Sequence, residues 1–182
     1  MQVADSAELF AREKYGARLR PDGVAYVEHL KGVVSRLKGL GITDPEVLAA
    51  GWLHGTINDS MSTFDEIEKR FGGRIAVLVL SLTLDKTLPR AETEKQFVRQ
   101  LKDSPPESKI IKLCDVSTLL KDMKNSPLSR TRKTKQAKKE SFYLSVMKGG
   151  LTEAASDYPG IHGIIAGINE IFSYFGMRPA NL

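Results

Sequence analysis

The sequence Gly51-Trp52-Leu53-His54-Gly55-Thr56-Ile57-Asn58-Asp59-Ser60 ends the apolar run around which this chain folds. The run begins at Pro45, a residue suited to the first turn of a helix, and Thr43 or Asp44 can cap it. We therefore expect a helix from Pro45 to about Ile57. An imidazole, His54, and a carboxylate, Asp59, leave the end of this helix within a turn and a half of each other. The pair can support chemistry, or it can be a hydrogen-bonded core histidine and a loop cap.

The composition is typical of a globular domain. The chain has 182 residues, of which 41% are apolar, so we expect residues 1–182 to form one domain with a sizeable core. A single cysteine, Cys114, excludes an internal disulfide framework and argues against a cysteine-based zinc site. No run approaches the roughly 20 apolar residues that span a bilayer, and residues 1–6 lack the pattern of a signal peptide. These observations predict a cytoplasmic protein without a membrane partner.

Apolar residues recur at three- and four-residue steps through most of the chain, which is typical of amphipathic helices. One helix is predicted from residue 24 or 26 to residue 40, with His29 beside its apolar stripe. Another is expected over residues 107–124, with Asp115 among apolar neighbours, where a carboxylate is uncommon unless it is paired, hydrogen-bonded or bound to a metal. The apolar run 75–82 fits a buried strand or a buried helix, and its surroundings favour the helix. The sequence predicts an all-α bundle of about eight to ten helices.

A basic segment from Arg130 to Lys139 contributes much of the formal net charge of +5. We expect it on a helix that runs from Ser129 to Lys148 and ends at Gly149-Gly150. Such a segment can neutralise the phosphates of a polymer or of a small nucleotide, but most basic runs are the solvated face of a helix. Nucleic-acid binding ranks lowest because no aromatic residues interleave the basic ones.

Two histidines and one carboxylate on three predicted helices form a candidate metal site. If helix packing brings His29, His54 and Asp115 to one point, they suit manganese, iron or zinc, with positions left open for water and a phosphate. Their spacing in the sequence does not decide between this site and three separately buried polar residues.

Several short motifs follow one another in a recognisable order. They are Tyr26-Val27-Glu28-His29, Leu53 to Asp59, Glu66 to Phe71-Gly72, Leu82-Thr83-Leu84-Asp85-Lys86-Thr87-Leu88-Pro89-Arg90, and Ile111-Lys112-Leu113-Cys114-Asp115. In this order the chain resembles the HD-domain hydrolases of RelA/SpoT homologues, from about Ala7 to Phe175. It is most similar to their small, single-domain branch, the metazoan-type SpoT homologues that act as alarmone hydrolases.

The resemblance implies a single all-helical HD-type domain over residues 1–182 with one manganese ion. Family members remove the 3′ pyrophosphate of guanosine tetraphosphate or pentaphosphate, (p)ppGpp, and the branch is also linked to removal of the 2′-phosphate of NADPH. The family's metal ligands are two histidines, the aspartate of a His-Asp pair and a later aspartate. His29, His54 and Asp115 match three of them. The fourth falls at Gly55, so we expect weaker metal binding.

Two further positions depart from the family pattern. A Glu-Asp pair, thought to orient and deprotonate the attacking water, is Asn58-Asp59 in this chain. Asp59 is therefore the candidate base, and Asn58 brings no proton acceptor to the catalytic pair. An asparagine that holds the nucleotide, four residues after the last ligand, is replaced by Leu119.

Five basic residues are candidates for substrate binding, each with ordinary solvent exposure as the alternative. Arg18 matches a family position that contacts the nucleotide, and arginine can stack on a base as well as bind phosphate. Lys86 and Arg90 in the predicted loop, and Lys135 and Lys139 four residues apart on one helical face, would neutralise phosphates.

Two functional hypotheses follow. In the first, the protein is a metal-dependent phosphohydrolase in which Asp59 orients the nucleophile and water or substrate takes the position that Gly55 leaves open. In the second, it has kept the fold but lost hydrolysis, and binds a nucleotide or a partner. Metal content discriminates them, because only the first requires a bound divalent ion. The sequence leaves the oligomeric state open, a homo-oligomer included.

Overall fold

The computed structural model describes residues 2–59 and 61–182, and within them it has nine α-helices. They are α1 (Val3–Tyr15), α2 (Tyr26–Gly39), α3 (Pro45–Leu53), α4 (Phe64–Phe71), α5 (Gly73–Leu80), α6 (Arg90–Asp103), α7 (Pro106–Lys124), α8 (Arg130–Ala154) and α9 (Gly160–Tyr174). An isolated antiparallel bridge between Leu19 and Ala25 is the one strand-like pairing in the described part of the chain. The predicted all-α bundle is confirmed.

Helices α3 and α7 lie at the centre of the bundle. Every residue of α3 from Val47 to Leu53 is buried, as expected for a helix that is apolar on all sides. It packs against α1, α2, α5 and α7, and α7 in turn packs against α2, α8 and α9. Because α3 and α7 pack against each other, polar side chains on α7 and at the end of α3 can meet inside the bundle.

The ends of α3 differ in how well the sequence predicts them. The Asp44 side chain accepts a hydrogen bond from the Glu46 N–H at 2.9 Å, with Pro45 in the first turn, as predicted. The helix ends at Leu53 rather than near Ile57, and irregular turns follow as far as Asp59. The Thr56 hydroxyl bonds the Leu53 carbonyl at 2.8 Å, which competes with continuation of the helix.

The predicted end of α8 at Gly149-Gly150 is wrong. The helix continues to Ala154, because the second glycine is required for packing rather than for a turn. A Cβ atom on Gly150 would lie 2.6 Å from Cδ of Lys109. A side chain at 150 would therefore displace that lysine, whose amine bonds the Ser104 carbonyl.

The run 75–82 is helical through most of its length, in α5, and is buried at Ile75, Ala76, Leu78 and Val79. No helix within residues 2–59 and 61–182 is long and apolar enough to cross a bilayer.

Candidate active site

Three side chains from three parts of the fold meet in the centre of the bundle. His29 comes from α2, His54 from the residue that follows α3, and Asp115 from the middle of α7. Nε2 of His29 lies 3.0 Å from Oδ1 of Asp115, and Nε2 of His54 lies 3.6 Å from the same oxygen. The structure thus brings together the three residues predicted as metal ligands.

Both imidazole rings are oriented through their other nitrogen. Nδ1 of His54 lies 2.8 Å from the Gly51 carbonyl, which makes it the protonated nitrogen. Nδ1 of His29 lies 3.4 Å from Oδ2 of Asp122, about two turns along α7 from Asp115. Each Nε2 is therefore directed into the cluster, the arrangement in which metal-bound histidines are usually held.

The donor set fits a divalent cation. One ligand atom from each residue lies within 4.8 Å of the other two. The two distances to Asp115 Oδ1, 3.0 and 3.6 Å, are close to the separation of about 3.0–3.4 Å that two donors bound to one ion have at octahedral or tetrahedral angles. The His29 and His54 side chains expose only 5% and 11% of their surface. Two neutral imidazoles and one carboxylate suit zinc, manganese or iron.

Asp115 is also tied to a buried lysine. Nζ of Lys112 lies 2.8 Å from Oδ2 of Asp115 and 3.4 Å from Oε2 of Glu140. Burial alone would raise the pKa of Asp115, but the Lys112 charge and the bonds to His29 and His54 outweigh it and hold that pKa well below its ordinary value. The ionised carboxylate therefore stabilises the fold above about pH 4, and this contribution is lost as the pH falls through the folded-state pKa.

Lys112 is held between two acids. Burial would lower its pKa, but the charges of Asp115 and Glu140 raise it above the ordinary lysine value. Glu140 is 2% exposed, and its Oε1 accepts a bond of 2.6 Å from Gln136. The lysine thus keeps its charge and neutralises two carboxylates that line the same cavity.

We expect Lys112→Met to destabilise the protein by about 2 kcal/mol, because it leaves two buried carboxylates without their cation. Urea unfolding measures the change, with Lys121→Met, on the exposed side of α7, as the matched control. An equal loss in both variants would show that the ion pairs of Lys112 contribute nothing beyond those of a surface lysine.

Gly55 lies beside the cluster, and two polar groups lie next to its Cα. A Cβ atom there would be 3.0 Å from the Tyr15 hydroxyl and 3.4 Å from Oδ2 of Asp59. Tyr15 donates a hydrogen bond of 2.8 Å to that same carboxylate oxygen. The position at which the resemblance places a ligand is therefore crowded by a phenol and a second carboxylate.

Asn58 is anchored away from the cluster. Its side-chain oxygen accepts from the Leu84 N–H at 3.3 Å, and its carbonyl accepts a bond from the Lys86 amine. Lys86 thus pairs with the loop that carries Asn58 and Asp59. Asn58 holds the 84–87 loop against the site, a role that sequence reasoning did not find.

The cluster opens into a cavity of about 270 Å³. Lys139 lines it and pairs with Glu94 at 2.8 Å, and Asp59 and Asn58 also line it. Four of the predicted substrate-binding residues, Arg18, Lys86, Arg90 and Lys135, are exposed and do not line this cavity. Arg18 stacks on Tyr26, with its guanidinium carbon 5.4 Å from the ring centre.

Sequence reasoning missed Arg20, which lines the cavity and pairs with the buried Asp22 at 3.4 Å. The Pro21-Asp22-Gly23 turn was predictable from the sequence. The pairing of residues 19 and 25, which directs Arg20 towards the site, was not. Glu140 and Tyr143 also line the cavity from α8. Glu140 could have been noticed in the sequence, because it is an acidic residue that follows a basic segment and lies one helical turn before the apolar residues Tyr143 and Leu144.

Comparison with known proteins gives one family and several relatives. A family profile described as an HD domain matches residues 7–144. The chain is 40% identical over 125 residues to guanosine-3′,5′-bis(diphosphate) 3′-pyrophosphohydrolase MESH1 of Mus musculus, covering 67% of this chain and 69% of that protein. It is 39% identical over 124 residues to MESH1 of Homo sapiens, with the same coverage.

A solved structure supports the fold independently. That structure is of another protein, a metazoan orthologue of SpoT that hydrolyses ppGpp. It superposes on this chain with a TM-score of 0.81 over 97% of both chains, at 24% sequence identity. The nine helices described above are therefore arranged as in that protein.

Proposed function

This chain belongs to the HD-domain family, and from that premise we propose that it is a metal-dependent phosphohydrolase acting on (p)ppGpp or a related phosphorylated nucleotide. The observation that carries the proposal is the meeting of His29, His54 and Asp115 in a largely buried cluster at the floor of a cavity. The similarity to MESH1, whose name states the 3′-pyrophosphohydrolase activity, supports this substrate class. A binding module that has lost hydrolysis is less favoured, because it requires no such cluster.

His29, His54 and Asp115 would hold the ion, which we propose is Mn²⁺. Bound there, a divalent ion supplies Lewis-acid polarisation of a phosphate ester. The protein's own contribution is to hold both imidazoles with Nε2 directed inwards and to keep Asp115 ionised. With Gly55 at the fourth family position, the remaining place is left to water or substrate.

We assign the orientation of the attacking water to Asp59. Its carboxylate lines the cavity, and only one of its oxygens receives the Tyr15 bond. A carboxylate at this place can accept the proton that water loses as it attacks phosphorus. Asn58 would position the loop that carries Asp59 and take no proton.

Positive charge for the substrate's phosphates would come from Lys139 and Arg20, which line the cavity. Arg18, Lys86, Arg90 and Lys135 stay predictions as phosphate ligands, because reaching the cavity would require them to move. The two diphosphate groups of ppGpp would be attracted by basic residues around the cavity. NADPH, which would lose its 2′-phosphate, is the alternative substrate that we propose to test beside ppGpp.

The direct test is release of pyrophosphate from ppGpp by the purified full chain with added Mn²⁺. We expect stoichiometric metal and measurable hydrolysis that EDTA abolishes and Mn²⁺ restores. NADPH in the same assay, with phosphate release measured, distinguishes the two substrates. Metal-loaded protein that hydrolyses neither nucleotide would contradict the proposal.

Three broader expectations accompany this function. We propose that residues 1–182 fold as one HD-type domain, which a single cooperative unfolding transition would support. Cytoplasmic location stays a prediction, to be checked by fractionation, and the oligomeric state, which the sequence leaves open, is to be measured by light scattering.

A further inference from the structure

Tyr15, at the end of α1, is buried and rigidly placed. It is 3% exposed, and its ring stacks on that of Tyr26 with centres 4.7 Å apart and an angle of 9° between the planes. Helix α1 is packed along α3, which leads into the site. The phenol oxygen therefore has one well-defined position, and that position is beside Gly55.

The hydroxyl of Tyr15 acts as a donor. Burial, followed by the nearby charge of Asp59, raises the pKa of Tyr15 above its ordinary value, so the phenol keeps its proton. Its hydrogen bond to Oδ2 of Asp59 is 2.8 Å long. A neutral donor at this distance fixes one carboxylate oxygen and leaves the negative charge on the group.

Asp59 is placed next to Gly55 by the backbone as well. Its backbone N–H donates a hydrogen bond of 2.9 Å to the Gly55 carbonyl. This bond closes a single helical turn and places residue 59 close to residue 55. Oδ2 of Asp59 then lies 3.4 Å from where a Cβ on Gly55 would be. The carboxylate thus borders the space that a side chain at position 55 would enter.

We propose that Tyr15 is a positioning residue that holds Asp59 beside the His29–His54–Asp115 cluster, so that Asp59 supplies the negative charge that Gly55 does not. The inference rests on the proposed function, because it gives Asp59 a metal-directed role in the same site. It also gives a physical reason for the pairing of a tyrosine at 15 with a glycine at 55. A larger residue at 55 would contact the Tyr15 hydroxyl.

The test measures Mn²⁺ affinity by titration calorimetry on the metal-free full chain, without any assay of activity. We expect Asp59→Asn to weaken binding by about 10-fold or more, and Tyr15→Phe by a smaller factor. In the Asp59→Asn background, Tyr15→Phe should have no further effect, because the group it positions is already neutral. Tyr26→Phe removes the same atom from the neighbouring ring and is the matched control, with unchanged affinity expected.

A second, metal-free measurement tests the crowding at Gly55. We expect Gly55→Ala to lower the melting temperature more in the unsubstituted protein than in the Tyr15→Phe background, by about 2 °C or more. Equal shifts in the two backgrounds would contradict the proposed exclusion of a side chain at 55.

The outcomes separate this inference from the proposed function. If the protein binds Mn²⁺ and hydrolyses ppGpp while Asp59→Asn keeps full affinity, the inference fails and the function stands. If Asp59→Asn weakens binding and the unsubstituted protein releases no product, the function fails and the inference stands. Absence of Mn²⁺ binding by the unsubstituted protein would overturn both.

Discussion

Replacing Asp115 by asparagine is expected to remove divalent-metal binding and to lower kcat/KM for ppGpp by about 1,000-fold or more. Within residues 2–59 and 61–182, Asp115 is the one carboxylate that touches both His29 and His54, at 3.0 and 3.6 Å. A bound cation contributes several kcal/mol to phosphate-ester hydrolysis, and each 1.36 kcal/mol is a factor of ten in rate. Asparagine keeps the size of the side chain and removes its charge, so the loss reports the ligand and not a cavity.

Thermal unfolding gives an independent measure of the same loss. Mn²⁺ at about 100 times its dissociation constant stabilises a protein by about 2.7 kcal/mol, which raises the melting temperature of a chain of this size by about 5–10 °C. The unsubstituted protein should show this rise, and Asp115→Asn should not.

The control for this experiment is Asp103→Asn, at the exposed end of α6. It removes an aspartate charge from a helix without touching the cluster, so it should keep both the metal-induced rise and the activity. Retention of full Mn²⁺ affinity by Asp115→Asn would show that the ion, if bound, lies elsewhere.

The fold was predictable because its signals are local. Helical periodicity, the Asp44 cap with Pro45, and the capping threonine at residue 63 fix helix positions without reference to the rest of the chain. The family prediction is confirmed by the profile match and by the relatives at 39–40% identity. The end of α8 was not predictable, since Gly150 serves a contact with Lys109, 41 positions earlier in the sequence.

The candidate site likewise has residues that the sequence identifies and residues that only the packing of the chain reveals. His29, His54 and Asp115 were found because polar residues on apolar helix faces are conspicuous in a sequence. Arg20 and Tyr15 were missed, because the position of each depends on how a turn or a helix end meets another element. The basic residues stay predictions for a similar reason: charge is visible in a sequence, but only packing decides whether a lysine lines the cavity, as Lys139 does.

Gly55 and Asn58 depart from the family pattern at the site, and Tyr15 restricts how Gly55 can be replaced. Adding a carboxylate at position 55 alone would bring the new Cβ to 3.0 Å from the Tyr15 hydroxyl. The place at Gly55 is therefore narrower than the resemblance implies, because Tyr15 and Asp59 border it. We therefore expect the family pattern to be restored more fully when Tyr15 loses its hydroxyl at the same time.

We expect the triple variant Tyr15→Phe, Gly55→Asp, Asn58→Glu to release pyrophosphate from ppGpp about 100-fold faster than the unsubstituted protein. A positioned proton acceptor is worth about 10²–10⁴ in rate. A glutamate at 58 supplies one at a position that lines the cavity, provided that its carboxylate leaves the Leu84 N–H to which the Asn58 side chain is bonded. The double variant Gly55→Asp, Asn58→Glu should gain much less, because the Tyr15 hydroxyl opposes the new side chain.

The matched control is the same triple variant with Asn58→Gln in place of Asn58→Glu, which has the same length and no proton acceptor. It should recover metal affinity without the rate gain, since only the carboxylate at 58 can take a proton. If the double variant already matches the triple, Tyr15 does not restrict position 55. If no variant gains rate although all bind Mn²⁺, a carboxylate at 58 does not limit the hydrolysis of ppGpp, and the prediction is wrong.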